Sequence, residues 1–149
     1  MTEELLRIKN LDVIYKTEYE TVYAVNHLTF SCNKGENIGL VGETGAGKTT
    51  LALSILGLVP KRTGRITAGE IVFDGKDLLA ATEAEMRSIR GDKIAMIFQD
   101  PMSALNPVHT VGDQIAEALK IHNPDKSSKE IDEEVERTLE LVGIQAESK

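Results

Sequence analysis

Residues 39–50 read "GLVGETGAGKTT". Within them, Gly42 to Thr49 fit G-x-x-x-x-G-K-[ST], the pattern of a loop whose backbone N–H groups cradle phosphate oxygens. The flanks supply the setting that the pattern requires. "NIGLVG" (Asn37–Gly42) is a short continuous apolar run, the signature of a buried strand. "KTTLALSILGLV" (Lys48–Val59) reads as a helix ended by Gly57 or Pro60. Gly42, Gly45 and Gly47 permit backbone conformations that a β-carbon would hinder, so the loop can curl around an anion. The helix starting at Lys48 adds its positive dipole end. Lys48 is expected to place an ammonium near the β- and γ-phosphates of a nucleotide, Thr49 to offer a hydroxyl to Mg²⁺, and Thr50 to reach the α-phosphate side.

Outward from the loop, the chain alternates strand and helix signals. "LLRIKNLDVIYK" (Leu5–Lys16) and "VYAVNHLTFSC" (Val22–Cys32) predict a hairpin across the polar turn "TEYET". "GRITAGEIVFDGKDL" contains a further strand with the turn signal Asp74-Gly75. Thr82 and Glu85 fit a capping box, which predicts a helix over "TEAEMRSIR". "KIAMIFQ" (Lys93–Gln99) is a second buried-type strand, expected parallel to Asn37–Gly42 in one sheet. Thr110 with Asp113, and Ser127 with Glu130, open two more helices. Val111, Ile115, Ala118 and Leu119 share one face of the first; Ile131, Val135, Leu139 and Val142 share one face of the second, which Gly143 caps. The acidic run Asp132, Glu133, Glu134 and Glu136 reads as a solvated helix face.

Composition narrows the partners. The chain has 149 residues and a net charge of −7, which argues against a general nucleic-acid binder. Cys32 is the only cysteine, so no intrachain disulfide forms, as suits a reducing compartment. The N-terminal "MTEELLRIKN" has no apolar signal core, and no stretch approaches the roughly 18 apolar residues of a membrane span. Any membrane role is therefore expected to be peripheral.

The loop alone does not choose among kinases, GTPases, helicases and transport ATPases. Gln99, at the end of the second buried-type run, could bind Mg²⁺ through its side-chain oxygen and orient water. "LVGETGAGKTT" followed by "IAMIFQDPMSALNP" resembles an ABC-type ATPase domain, and "FQDPMSALNP" is most similar to the oligopeptide, dipeptide and nickel importer group. The resemblance runs from about Leu5 to Gly143. It implies an α/β P-loop NTPase fold of ABC type in partial form: an antiparallel β subdomain, part of the parallel core sheet, and the start of the helical subdomain. Residues 1–110 would be the ATP-binding core and 111–149 the opening of the helical part. The cofactors implied are ATP and Mg²⁺, with Thr49 and Gln99 toward the metal. By this resemblance Gly42, Glu43, Thr44, Gly45, Ala46, Gly47, Lys48, Thr49 and Thr50 would hold phosphates, Tyr15 would stack on adenine with Tyr23 as the competing aromatic, Val25 would pack on ribose, and Lys48 and Gln99 would serve catalysis. Thr44 and Ala46 depart from the serines frequent in this group, but both are small.

The partners implied are transmembrane permease subunits near Asp100–Asn106 and a second ATPase subunit, with no direct contact with cargo. The location implied is cytoplasmic, peripheral on the inner face of the cell membrane. The sequence contains no L-S-G-G-Q signature and no apolar strand ending in Asp-Glu. His27, His109 and His122 all precede the place of a switch histidine. These 149 residues therefore read as a truncated importer subunit, expected to bind Mg·ATP without hydrolysing it alone. The alternatives are an ABC protein outside transport and a short ATP-binding regulator. No N-K-x-D guanine reader or arginine-rich lid supports a GTPase or an adenylate-type kinase.

Overall fold

A computed structural model describes residues 3–100 and 105–144. The chain divides into two compact units, Met1–Arg87 and Ser88–Lys149.

The first unit is built on an antiparallel sheet of order β2-β1-β3-β4, formed by β1 (Glu4–Lys16), β2 (Thr21–Asn33), β3 (Gly64–Phe73) and β4 (Lys76–Asp77). The hairpin predicted from the sequence is present: Ile8 pairs with Phe30, Leu11 with Leu28 and Tyr15 with Val22. Its turn is closed by the Thr17 hydroxyl, which accepts from the Glu20 N–H at 3.0 Å. Asp74 and Gly75, both at positive φ, make the tight β3–β4 turn between Phe73 and its partner Lys76.

The burial pattern of β1 is not a clean alternation. Ile8, Leu11 and Val13 are all fully buried, although Ile8 and Leu11 are three residues apart. A bulge at Asn10 (φ 48°) absorbs the odd residue and returns Leu11 to the core face. Irregularities lie at the same level in the neighbouring strands, at His27 (φ 49°) and Gly69 (φ 105°). Gly69 is required there, because a β-carbon would come within 2.5–2.8 Å of Leu11 Cα and of the Asn10 carbonyl. Asp12 bridges the bulge in β2: its carboxylate accepts from the His27 N–H at 2.6 Å and sits 2.9 Å from His27 Nδ1.

Helix α1 (Lys48–Ile55) lies beside β2 and buries Leu51 and Ser54. It stops at Gly57, the first of the two breakers that the sequence offers. Gly57 takes φ 63°, and the Gly57 and Leu58 N–H groups donate back to Ser54 O and Leu53 O, a paired glycine stop. The short helix α2 (Glu83–Ile89) begins at the expected box, with Glu85 Oε2 accepting from the Thr82 N–H at 2.7 Å. Lys76 and then Thr82 hydrogen-bond this carboxylate and hold Glu85 down to about 2.

In the second unit, α3 (Val111–His122) and α4 (Ser128–Leu141) pack together. Ile131, Val135 and Leu139 are buried against Ile115, Ala116 and Leu119. Both predicted caps form: Thr110 accepts from the Asp113 N–H, and Ser127 with Glu130 makes the full reciprocal box. Hydrogen bonds from Ser127 lower the Glu130 carboxyl below its ordinary range. Gly143 (φ 77°) ends α4, donating to Glu140 O while Ile144 donates to Leu139 O.

One expectation is corrected. Neither Asn37–Gly42 nor Lys93–Gln99 is hydrogen-bonded into a sheet among the described residues. Val41 and Ile97 are each 95% exposed. A strand is a property of a pair, and the apolar pattern describes only one member of it. The described residues place no ladder beside either run. Ile94 is held instead by the turn after α2: it donates to Ile89 O, accepts from the Gly91 N–H, and bridges in parallel to Arg90.

Candidate nucleotide site

The phosphate loop lies in the first unit, between the irregular run Asn37–Gly42 and α1. Its glycines are not equivalent. Gly45 turns at φ 87° with open space around it. Gly47 is the N-cap of α1 at φ 82°, and a β-carbon there would collide with the Ala24 carbonyl oxygen of β2. A β-carbon on Gly42 would press on the Ala46 side chain at 3.0 Å. Gly47 thus seats the start of α1 directly on the backbone of β2, where the neighbouring Val25 is buried. That contact fixes where the first N–H groups of the helix point.

Lys48 folds back across the loop. Its ammonium donates to Gly42 O at 2.5 Å and Glu43 O at 2.7 Å. The Ala46 N–H donates to Glu43 O at 3.1 Å, closing the turn beneath. An ammonium has three donors, so two brace the loop and the third remains for an anion. Gly47 has no side chain to cap α1, and no acidic residue stands in its first turn. Those N–H groups and the helix dipole therefore favour a negative ligand. Thr49 is exposed and Thr50 is half-buried.

A cavity of about 420 Å³ runs beside the loop, lined by Tyr23, Val25, Gly45, Ala46, Gly47 and Lys48 among others. Val25, named from the sequence, is therefore brought together with Gly45–Lys48, while Glu43 and Thr44 stand exposed on the outer loop. The two candidate aromatics take different places. Tyr23 lines the cavity and is 72% exposed. Tyr15 does not line it; its ring covers Gly64, where a β-carbon would meet Tyr15 Cε1 at 2.7 Å. The register, however, puts Tyr15 and Val13 on the same face of β1, and Val13 pairs with Val25. Gln99 and Asp100 belong to the second unit and are exposed. Of the expected docking segment Asp100–Asn106, residues 101–104 lie outside the described residues.

Ala24 is a contributor that sequence reading missed. Its carbonyl, not its side chain, meets Gly47, and a backbone contact between distant segments leaves no residue pattern. No cluster of three or more His, Cys, Asp or Glu side chains suited to a metal occurs among the described residues. A single threonine hydroxyl at the end of a phosphate loop nonetheless fits Mg²⁺, which keeps most of its waters and binds chiefly through substrate phosphates.

The chain has relatives among known proteins. The chain is 48% identical over 142 residues to the dipeptide transport ATP-binding protein DppD of Bacillus subtilis, covering 95% of this chain and 42% of that protein. It is 45% identical over 141 residues to the oligopeptide transport ATP-binding protein OppD of the same organism, covering 94% of this chain and 39% of the relative. The chain thus spans about two fifths of the length of these relatives. In structure it resembles the dimeric ATP-binding cassette MJ0796 bound to ADP and Pi. The TM-score is 0.81 at 24% identity, over 97% of this chain and 60% of that one, which establishes the fold. The sequence profile of the ABC transporter family matches residues 25–149, most of the chain and all of the phosphate loop; the chain belongs to the ABC transporter family.

Proposed function

We propose that this chain is the nucleotide-holding part of an ATP-binding subunit that powers import of peptides. The observation that carries the reading is the loop Gly42–Thr50, seated on β2 through Gly47 and braced by Lys48. The loop would take the phosphates of ATP, with Lys48 toward the β- and γ-phosphates and Thr49 toward Mg²⁺. Bound Mg²⁺ would neutralise charge developing on the phosphates. Val25 would pack against the ribose, and Tyr15 would stack on adenine from the face it shares with Val13. Gln99 would orient water. Residues 1–110 would be the ATP-binding core and 111–149 the opening of a helical part.

The peptide class of cargo is supported by the relatives named for dipeptide and oligopeptide transport. The second ATPase subunit is supported by the dimeric state of the MJ0796 cassette. Transmembrane subunits would dock at Asp100–Asn106, placing the protein on the inner face of the cell membrane. No helix among the described residues is long and apolar enough to cross it. The 149 residues bring neither an Asp-Glu strand end to complete a metal site nor a signature to cap the γ-phosphate. Losing such positioned groups costs orders of magnitude in rate. This chain by itself is therefore expected to bind and not to turn over.

Calorimetry with Mg·ATP tests the reading. Wild type should bind, Lys48→Ala should lose at least about tenfold in affinity as a charge-assisted contact disappears, and phosphate release should match between the two. Equal ATP affinity in the Lys48→Ala variant would remove the assignment of the loop. Lys48-dependent phosphate release from the wild-type chain would remove the expectation of silence.

A further inference from the structure

Gly64, the first residue of β3, is buried where the chain returns from α1 to the sheet. It pairs across the ladder with Tyr15 of β1. A β-carbon on Gly64 would come within 2.7 Å of Tyr15 Cε1, 3.1 Å of Tyr15 Cδ1 and 2.5 Å of Val59 Cγ1. The space that a side chain would need is thus filled by the tyrosine ring and by Val59. The backbone beneath has little room to yield. The Gly64 N–H donates to Pro60 O at 2.7 Å and the Thr63 N–H to the same oxygen at 3.1 Å, while the Lys16 N–H donates to Thr63 O at 2.7 Å. A closed turn, residues 60–64, is therefore pinned to the end of β1 beside Tyr15. Tyr15 itself is half-buried, which leaves part of it accessible above this seat.

We infer that Gly64, together with Val59, is a positioning residue for Tyr15 and sets the ring at the height at which it stacks on adenine. This deepens the reading above and rests on it in one respect, that Tyr15 and not Tyr23 meets the base. Carbon atoms pack at about 3.5–4.0 Å, so an alanine β-carbon at position 64 must drive the ring away by about 1 Å. Val59 does not make the room, because a β-branched side chain is stiff at χ1. A base stacked on the ring loses contact when the ring shifts. The stretch that carries the seat is also the one that leaves the phosphate loop: Lys48 opens α1, the helix stops at Gly57, and Val59 and Gly64 follow. One continuous piece of chain thus reaches from the phosphate end of the site to the base end and sets the span between them.

Calorimetry on the 149-residue chain with Mg·ATP and with inorganic triphosphate separates a seat for the base from a merely structural contact. Tyr15→Ala should lower Mg·ATP affinity about tenfold, the worth of one base–aromatic stack, and leave triphosphate unchanged. Gly64→Ala should lower Mg·ATP affinity about threefold to tenfold, again with triphosphate unchanged. Adding Gly64→Ala to Tyr15→Ala should cost nothing further, since the ring that it displaces is gone. Labelling the three tyrosines with 3-fluorotyrosine follows the ring without any ligand. Gly64→Ala should move the Tyr15 fluorine signal and leave those of Tyr19 and Tyr23 in place. Val59→Ala opens the seat without crowding it, and decides the matter if Gly64→Ala does not fold. It too should move the Tyr15 signal and lower only Mg·ATP affinity. Equal losses of ATP and triphosphate binding overturn the inference, because the phosphate loop and not the base would then be disturbed. An unmoved Tyr15 signal overturns it as well. If Tyr15→Ala weakens ATP selectively while neither seat variant does, the seat is overturned and the stacking reading stands. If Tyr15→Ala affects neither ligand, the stacking reading fails and takes the nucleotide role of the seat with it, while a shifted Tyr15 signal in Gly64→Ala still sustains the ring contact.

Discussion

Replacing Gly47 by alanine tests the placement of the phosphate loop at its tightest point. Gly47 sits at φ 82°, and a β-carbon would collide with the Ala24 carbonyl oxygen and approach Val25 Cγ2 at 3.5 Å. Gly35 provides the matched control, with φ 74° and nothing within 4 Å of an added β-carbon. Both variants incur the left-handed backbone penalty of about 1–2 kcal/mol. Only Gly47→Ala must also push the start of α1 away from β2, an overpacking cost of about 1–3 kcal/mol. The expected total is roughly 2–5 kcal/mol for Gly47→Ala against about 1–2 for Gly35→Ala. At a urea slope of about 1.5 kcal/mol per molar, the midpoints should differ by roughly 1–2 M. The chain has no tryptophan, and its three tyrosines all lie in the first unit, so tyrosine fluorescence reports that unit alone. Mg·ATP calorimetry on the same samples should show binding retained in Gly35→Ala and lost in Gly47→Ala, because the displaced helix re-aims the N–H groups of Lys48, Thr49 and Thr50. Coincident midpoints with undiminished ATP affinity would refute the claim that the Gly47–Ala24 contact sets the loop.

Three further outcomes are expected. Glu85 is held at about 2, below its usual 4.5, by Lys76 and then Thr82, so its contribution to stability is present above pH 4.5 and lost as pH falls through about 2. Glu85→Gln should flatten acid unfolding of the first unit in that window, and superimposable acid titrations of variant and wild type would contradict it. Leu139→Ala should cost the helix pair about 2–5 kcal/mol, because Leu139 is 1% exposed among Ile131, Val135 and their neighbours. Leu141→Ala, at a 77% exposed position, should fall within about 0.5 kcal/mol of wild type, and hydrogen exchange along α4 compares the two. Tyr15→Ala should weaken Mg·ATP and inorganic triphosphate unequally, lowering only the former. If Tyr23→Ala does this in its place, adenine stacks on the residue that lines the cavity.

What could be read from the residues alone is what depends on near neighbours in the chain. The phosphate loop, the hairpin with its Thr17 turn, the Asp74-Gly75 reversal and the caps at Thr82, Thr110 and Ser127 each close over a few residues, so local composition specifies them. The family was legible for the same reason, since its phosphate-loop and glutamine-loop stretches are short and contiguous. Tertiary structure decided the rest. The alternation rule cannot place Ile8 and Leu11 on one face of β1 until the bulge at Asn10 is known, and that bulge is matched by its neighbours at His27 and Gly69. The stop of α1 at Gly57, and not at Pro60, depended on which of two eligible breakers the last carbonyls of the helix would use. Asn37–Gly42 and Lys93–Gln99 carry strand composition, yet among the described residues no ladder lies beside either run, and a strand needs its partner. The contact that seats the phosphate loop, Gly47 against the Ala24 carbonyl, ends on a main-chain atom. Every residue carries the same main chain, so such contacts leave no trace in the sequence and arise only when folding brings the two segments together.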